Sequence, residues 1–267
     1  MRLHVHEWGD ADAPALLCLH GVSAHGRRFR RLAEERLSKR FRVVAPDLRG
    51  HGRSEWEPPW NIATHLADVV ETVDALGIEQ PTAWLGHSFG GRLVLELCAI
   101  APERVTRAVL LDPAIQILPH VGFDFAEGAA QDHSFASAEE AVEARLASGF
   151  PPSPREFVEE EAREHLVASP DGRLRWRCSR AAVAAIYADL CTEPAPPSAL
   201  CTPALLVHAG EFGLVREEQL EAYVAELGDR LEVVAVPGGH IVYWDAFDQT
   251  ADAVEKFLIR DEGATHA

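Results

Sequence analysis

Residues 82–91 read Thr82-Ala83-Trp84-Leu85-Gly86-His87-Ser88-Phe89-Gly90-Gly91. They pass from an apolar, strand-like run, through a serine flanked by glycines, into the helical pattern of Gly91–Ala101. A G-x-S-x-G string is common by chance; between a strand and a helix it acquires a mechanism. A chain reversing sharply from strand to helix leaves the serine in a strained conformation with its oxygen exposed. The glycines remove side chains that would collide with neighbouring backbone. The helix N-terminus behind Ser88 offers unpaired N–H groups and positive dipole to an anion. The plainer alternative is a serine that only caps a helix.

Outward from this turn, apolar β-rich runs alternate with helical patterns, which predicts an α/β fold with a mostly parallel central sheet flanked by helices. The expected strands are Leu3–Glu7, Ala15–Leu19, Arg42–Ala45, Thr82–Gly86, Ala108–Asp112, Ala204–His208 and Glu232–Val236. Runs such as Ala204-Leu205-Leu206-Val207 are apolar throughout, as expected of strands covered on both faces. Amphipathic helices are expected near Phe29–Leu37, Thr64–Leu76, Gly90–Ala101, Glu217–Leu227 and Ala246–Leu258. The rhythm breaks over 113–199, which has no convincing strand, helical patches at Ala138–Ala147 and Arg155–Leu166, and the proline cluster Pro151-Pro152-Ser153-Pro154. The predicted organisation is a core of 1–112 and 200–267, with a helical cap, 113–199, inserted after the strand that follows the nucleophile helix.

Composition narrows the function classes. The 267 residues carry a formal net charge of −17, which disfavours nucleic acid and anionic membrane surfaces as partners. The first residues lack the apolar run of a secretory signal, and no segment approaches the ~20 apolar residues of a membrane helix. Five cysteines without C-x-x-C spacing fit a reduced, cytoplasmic protein. No cofactor is implied. His4 and His6 share a face of a probable edge strand but lack a third nearby ligand, so no metal site is expected. His65 and His165 read as helix-surface residues.

Five motifs in order resemble the α/β-hydrolase superfamily: His20-Gly21 after the second strand, Asp47-Leu48-Arg49-Gly50-His51-Gly52-Arg53-Ser54 after the third, the Ser88 turn, Leu111-Asp112-Pro113-Ala114, and Pro237-Gly238-Gly239-His240 after the last strand. The resemblance spans nearly the whole chain outside 113–199. It implies Ser88 as nucleophile and His240 as the base that takes its proton. It assigns the oxyanion hole to the backbone N–H groups of Val22 and Phe89, whose side chains therefore need not be polar. His87 flanks the nucleophile with its ring expected to point elsewhere.

The acid departs from the family pattern. Most members carry it in a G-x-x-D-like loop after the penultimate strand, but here the loop reads Gly210-Glu211-Phe212-Gly213. Asp112, at the tip of the strand after the nucleophile helix, is the preferred acid. Glu211 is the alternative, and a histidine without a carboxylate partner is the third option. The cap is expected to line the pocket with Ile115, Ile117, Leu118, Phe123, Phe125, Phe135, Phe150 and Trp176, although some of these could form its own small core. Such a pocket favours an uncharged, hydrophobic ester or lactone cleaved through an acyl-enzyme. Arg173, Arg175 and Arg177 read as a solvated basic face. Carbon–carbon bond cleavage, amide hydrolysis and cofactor-free perhydrolysis are alternatives within the fold. A small-molecule receptor that keeps a triad-like pocket is the alternative outside catalysis.

Overall fold

The computed structural model describes residues 1–131, 133–147 and 153–260. In chain order the first half gives β1 (Val5–Trp8), β2 (Ala15–Leu19), a short α1 (Arg30–Leu32), β3 (Arg42–Pro46), α2 (Ile62–Ala75), β4 (Thr82–His87), α3 (Phe89–Ile100) and β5 (Val105–Leu111). Then come α4 (Pro119–Ala130), α5 (Ala138–Leu146), α6 (Arg155–His165), β6 (Leu166–Ala168), β7 (Leu174–Trp176) and α7 (Arg180–Leu190). The chain ends with β8 (Ala204–Ala209), α8 (Glu217–Leu227), β9 (Leu231–Val236), α9 (Val242–Asp245) and α10 (Phe247–Leu258).

Seven strands form one sheet in the order β1-β3-β2-β4-β5-β8-β9. The β1–β3 pair is antiparallel and every other pairing is parallel. Parallel strands share one direction, so the loops that leave their C-terminal ends gather on one rim. The alternation of β2 builds both halves of the core. Leu17 and Leu19 pack with Val69 of α2 and Leu93 and Leu97 of α3, whereas Leu16 and Cys18 pack with Leu32, Val254 and Phe257 on the opposite face. Truncating one such leucine to alanine costs about 2–5 kcal/mol. Local chemistry sets several helix starts: Asn61 Oδ1 accepts from the Thr64 N–H at the head of α2, and Ser179 Oγ accepts from Ala182 at the head of α7.

The stretch between β5 and β8 differs from the sequence reading in two ways. It carries two further helices, α4 and α7, which pack on each other. It also carries a hairpin, in which β6 and β7 pair antiparallel with Leu166 opposite Trp176. Three-residue strands are too short to show an alternation. The hairpin is closed locally: Asp171 accepts from the Arg173 N–H and pairs with Arg175, and Gly172 takes φ +78° in the turn. Arg175 is thus tied to the turn and Arg173 to Ser134, so they do not form an open basic face. No helix among the described residues is long and apolar enough to cross a membrane.

Candidate active site

Ser88 occupies φ +54°, ψ −117° at the head of α3, a conformation that non-glycine residues rarely adopt. The surrounding backbone holds it there. Its N–H donates to the Leu111 carbonyl, and its own carbonyl accepts from Arg92 and Ala114. A Cβ on Gly86 would lie 2.2 Å from the Gly90 carbonyl oxygen, and one on Gly90 would lie 2.0 Å from that of Leu19. Only glycine lets strand and helix approach this closely. Gly21 is constrained by the serine itself, since a Cβ there would stand 2.8 Å from the Ser88 Cβ.

His240 leaves β9 on the turn 237–239, where Gly238 takes φ +92°. Its Nδ1 lies 2.6 Å from Asp112 Oδ2. Asp112 is fully buried, has φ +39°, and uses Oδ1 to accept the Ala209 N–H from β8 at 3.1 Å. The carboxylate is therefore fixed at both oxygens, as an orienting acid requires. The loop after β8, where the resemblance leads one to expect the acid, supplies a different group. Phe212 stacks on the His240 ring with centroids 5.3 Å apart, Glu211 is exposed, and Gly213 sits at φ +76° with open space around it. Of the two sequence candidates, Asp112 meets the imidazole.

His87 does more than flank the serine. It is buried, lines the same cavity as Ser88, and its Nε2–H donates to the His240 carbonyl at 2.9 Å. Burial, then the neighbouring His240, pushes its pKa well below the usual imidazole value, so it is a neutral brace for the His240 loop. A G-H-S string offers no cue to that role.

The loop carrying Val22 is held by two further neutral histidines. The Leu48 N–H donates to His20 Nε2 at 2.9 Å, which leaves the proton on Nδ1, facing the Gly21 carbonyl at 2.7 Å. The Ser23 N–H donates likewise to His51 Nε2 at 3.2 Å, and His51 Nδ1 faces the Arg49 carbonyl. Burial pushes both pKa values down, that of His51 to about 4. The Asp47–Ser54 motif thus acts through His51, and through the buried Asp47, which accepts the Gly26 and Arg53 N–H groups. Phe89 is the first residue of α3, so its N–H has no partner within the helix.

Ser88 and His240 line a cavity of about 150 Å³ with Ile117, Phe125, Leu190 and Leu214. A larger cavity, about 900 Å³, is lined by Phe125, Phe135 and Trp176 among others. Of the expected pocket residues, Ile115 instead joins the core, Leu118 and Phe123 are exposed, and Phe150 lies outside the described residues. Three histidine expectations are corrected. His65 is fully buried with its ring edge-on to Phe89, and His165 is buried against His25; both face inward from their helices. His4 and His6 do have a third potential ligand beside them, Asp47, with all three donor atoms within 4.8 Å of one another. A contact across 41 residues of sequence is invisible to local spacing.

Residues 14–247 match the model of a family described as the alpha/beta hydrolase fold. The chain is 34% identical over 246 residues to lipase LipV of Mycobacterium tuberculosis, covering 90% of this chain and 91% of that one. It is 30% identical over 263 residues to 2-(acetamidomethylene)succinate hydrolase of Mesorhizobium japonicum, covering 97% and 92%. A crystal structure of E-2-(acetamidomethylene)succinate hydrolase superposes with a TM-score of 0.85 at 27% identity, covering 97% of this chain and 95% of that one. An enol-lactonase from Burkholderia xenovorans shares the fold, with a TM-score of 0.76 at 22% identity and coverage of 97% and 96%.

Proposed function

The chain belongs to the alpha/beta-hydrolase family, and from that premise we propose that it hydrolyses a carboxylic ester or lactone through an acyl-enzyme on Ser88. The observation that carries this reading is the 2.6 Å contact between His240 Nδ1 and the buried Asp112 carboxylate, in a fold whose cavity is lined by both His240 and Ser88. Asp112 accepts the Nδ1 proton of His240 in a hydrogen bond and leaves Nε2 as the basic nitrogen. That nitrogen takes the Ser88 hydroxyl proton as Oγ attacks the acyl carbon. The oxyanion that forms is met by the N–H groups of Phe89 and Val22. The protonated imidazole then hands its proton to the leaving alkoxide. Water repeats the sequence on the acyl-enzyme and returns Ser88. We further assign 1–112 and 200–267 to the catalytic core and 113–199 to a cap. Support comes from the cavity wall, which takes Phe125, Val158 and Leu190 from that segment and Ser88 and His240 from outside it. An uncharged scissile ester with apolar flanks suits the lining beside Ser88.

The reading is tested with short-chain p-nitrophenyl esters and a fluorophosphonate probe. The wild type turns over the esters and is labelled, and Ser88→Ala loses both, by at least about 10³-fold in kcat. A wild type that neither reacts with the probe nor cleaves any activated ester would sink the proposal.

A further inference from the structure

His4 and His6 stand two residues apart at the start of β1, so both rings project from one face of that edge strand. The neighbouring strand brings a third donor to that face. Asp47, directly after β3, is fully buried, and its Oδ1 lies 3.2 Å from His6 Nε2. The ligating atoms of all three side chains fall within 4.8 Å of one another. The backbone fixes this meeting point. The Asp47 N–H donates to the His4 carbonyl at 2.8 Å, and the His4 N–H donates to Ser54 Oγ at 2.9 Å. The carboxylate is fixed as well, since Oδ1 accepts the Gly26 N–H and Oδ2 the Arg53 N–H. The His4 ring, by contrast, is half-buried and edge-on to His6, and it makes no hydrogen bond among the described residues.

Two imidazoles and one anchored carboxylate are a donor set that suits a zinc-type ion with water in its fourth position. An ion held ~2.0–2.2 Å from each donor in tetrahedral geometry sets neighbouring donors about 3.3 Å apart, close to the His6–Asp47 separation. A charge-assisted imidazolium–carboxylate bond would draw the two closer, to about 2.7–2.9 Å. The amides on Asp47 leave lone pairs for a metal, and they hold the carboxylate as outer hydrogen bonds hold other ligating groups. His4 can turn toward the ion without breaking a hydrogen bond of its ring. We propose that His4, His6 and Asp47 bind one divalent ion of the zinc class, which bridges His6 Nε2 and Asp47 Oδ1 and is closed by His4. The proton on His6 Nε2 moves to Nδ1 through solvent, so the ligand is the neutral imidazole. None of the three residues lines the cavity at Ser88, and the site does not depend on the hydrolase reading. It ties β1 to the Asp47–Ser54 loop, whose His51 holds Ser23 beside Val22.

Calorimetric titration of chelator-treated protein with Zn²⁺ tests the site. The wild type binds one equivalent in the micromolar range or tighter. His4→Gln and His6→Gln each weaken that binding at least about tenfold, and the double variant loses it, as removal of direct ligands requires. No zinc binding by the wild type, or an unchanged isotherm in the double variant, overturns the proposal; the second result would put the ion on other side chains. Cobalt(II) adds a spectrum. The wild type shows visible d–d bands that vanish in the double variant, whereas a thiolate-to-cobalt charge-transfer band would assign the ion to a cysteine and refute the site. Diethyl pyrocarbonate labelling, read by peptide mass spectrometry, needs no variant. Zinc in excess of its dissociation constant slows modification of His4 at least about tenfold by mass action. Equal rates with and without zinc overturn the proposal even where a variant misfolds. Circular dichroism checks the fold of each variant, and Asp47 is left in place because it also holds the Gly26 and Arg53 amides.

Discussion

Two loops on the same rim of the sheet compete for the side of His240, and they differ in how their backbones are tied down. The loop after β5 presents Asp112 with no exposed surface, its amide bonded to Val207 and one carboxylate oxygen bonded to the Ala209 amide. The loop after β8 presents an aromatic face, an exposed glutamate and a glycine with open space around it. An orienting acid needs a fixed carboxylate more than a particular place in the chain. The β5 loop meets that need because β8 itself donates to it. The strand β8 thus supplies the amide that holds Asp112, and its following loop supplies the ring that packs on His240.

The sharpest way to break this contrast is to neutralise each carboxylate in turn. Asp112→Asn is expected to lower kcat by roughly 10³–10⁴-fold, because an amide cannot hold the required imidazole tautomer. Glu211→Gln, altering an exposed side chain with no part in the contact, should stay within about twofold. Equal losses in steady-state kinetics would end the distinction between the loops. A relocation experiment sharpens it further. Gly213→Asp in the Asp112→Asn background places a carboxylate at the position where the family pattern leads one to expect it. Gly213 has φ +76° and no atom within 4 Å of an added Cβ, and aspartate is among the side chains that best tolerate that backbone. Because the ring nitrogen faces β5, this variant should regain no more than about tenfold of the lost rate. Recovery to wild-type kcat would mean that position in the chain, not anchoring, decides the acid.

The same contrast explains what could be read in advance. The seven strands of the main sheet were legible, the central ones because burial on both faces writes continuous apolar runs such as Ala15–Leu19. The Ser88 turn was legible because its strained backbone demands glycines at fixed offsets. Asp112 could be named only as a candidate beside Glu211, since the Ala209 amide that anchors it lies 97 residues away. The bracing histidines and the buried Arg28–Glu161 pair left no local trace. His51 acts on Ser23 across 28 residues, and Arg28 meets Glu161 across 133. The β6–β7 hairpin was missed for the opposite reason, being too short to carry a period.

Phe212 is the part of the β8 loop that touches His240. Its ring stacks on His240 at 18° between planes. Phe212→Ala removes a contact of about 0.5–1.5 kcal/mol, so kcat should fall roughly 2- to 10-fold with Asp112 in place. A loss approaching that of Asp112→Asn would show that the ring, and not the carboxylate, sets the imidazole's orientation.

A last effect, read in stability and not in rate, concerns groups that only hold the rim. His65 packs beneath the head of α3, edge-on to Phe89, and burial pushes its pKa down to about 3. Below its unfolded value of about 6.5 the unfolded chain takes up a proton that the folded chain refuses, so stability rises with pH from about 3 to about 6.5 and falls on acidification. His51, pushed down to about 4, acts in the same sense. Each such site contributes up to about 1.4 kcal/mol per pH unit within its window. Urea unfolding at pH 6.5, 5.5 and 4.5 should give a slope that His65→Leu reduces by about that amount. Above pH 6.5 this linkage vanishes, leaving only the packing difference between the two side chains. An identical slope in wild type and His65→Leu would mean that His65 is protonated in the folded chain, and that the layer under Ser88 is open to water.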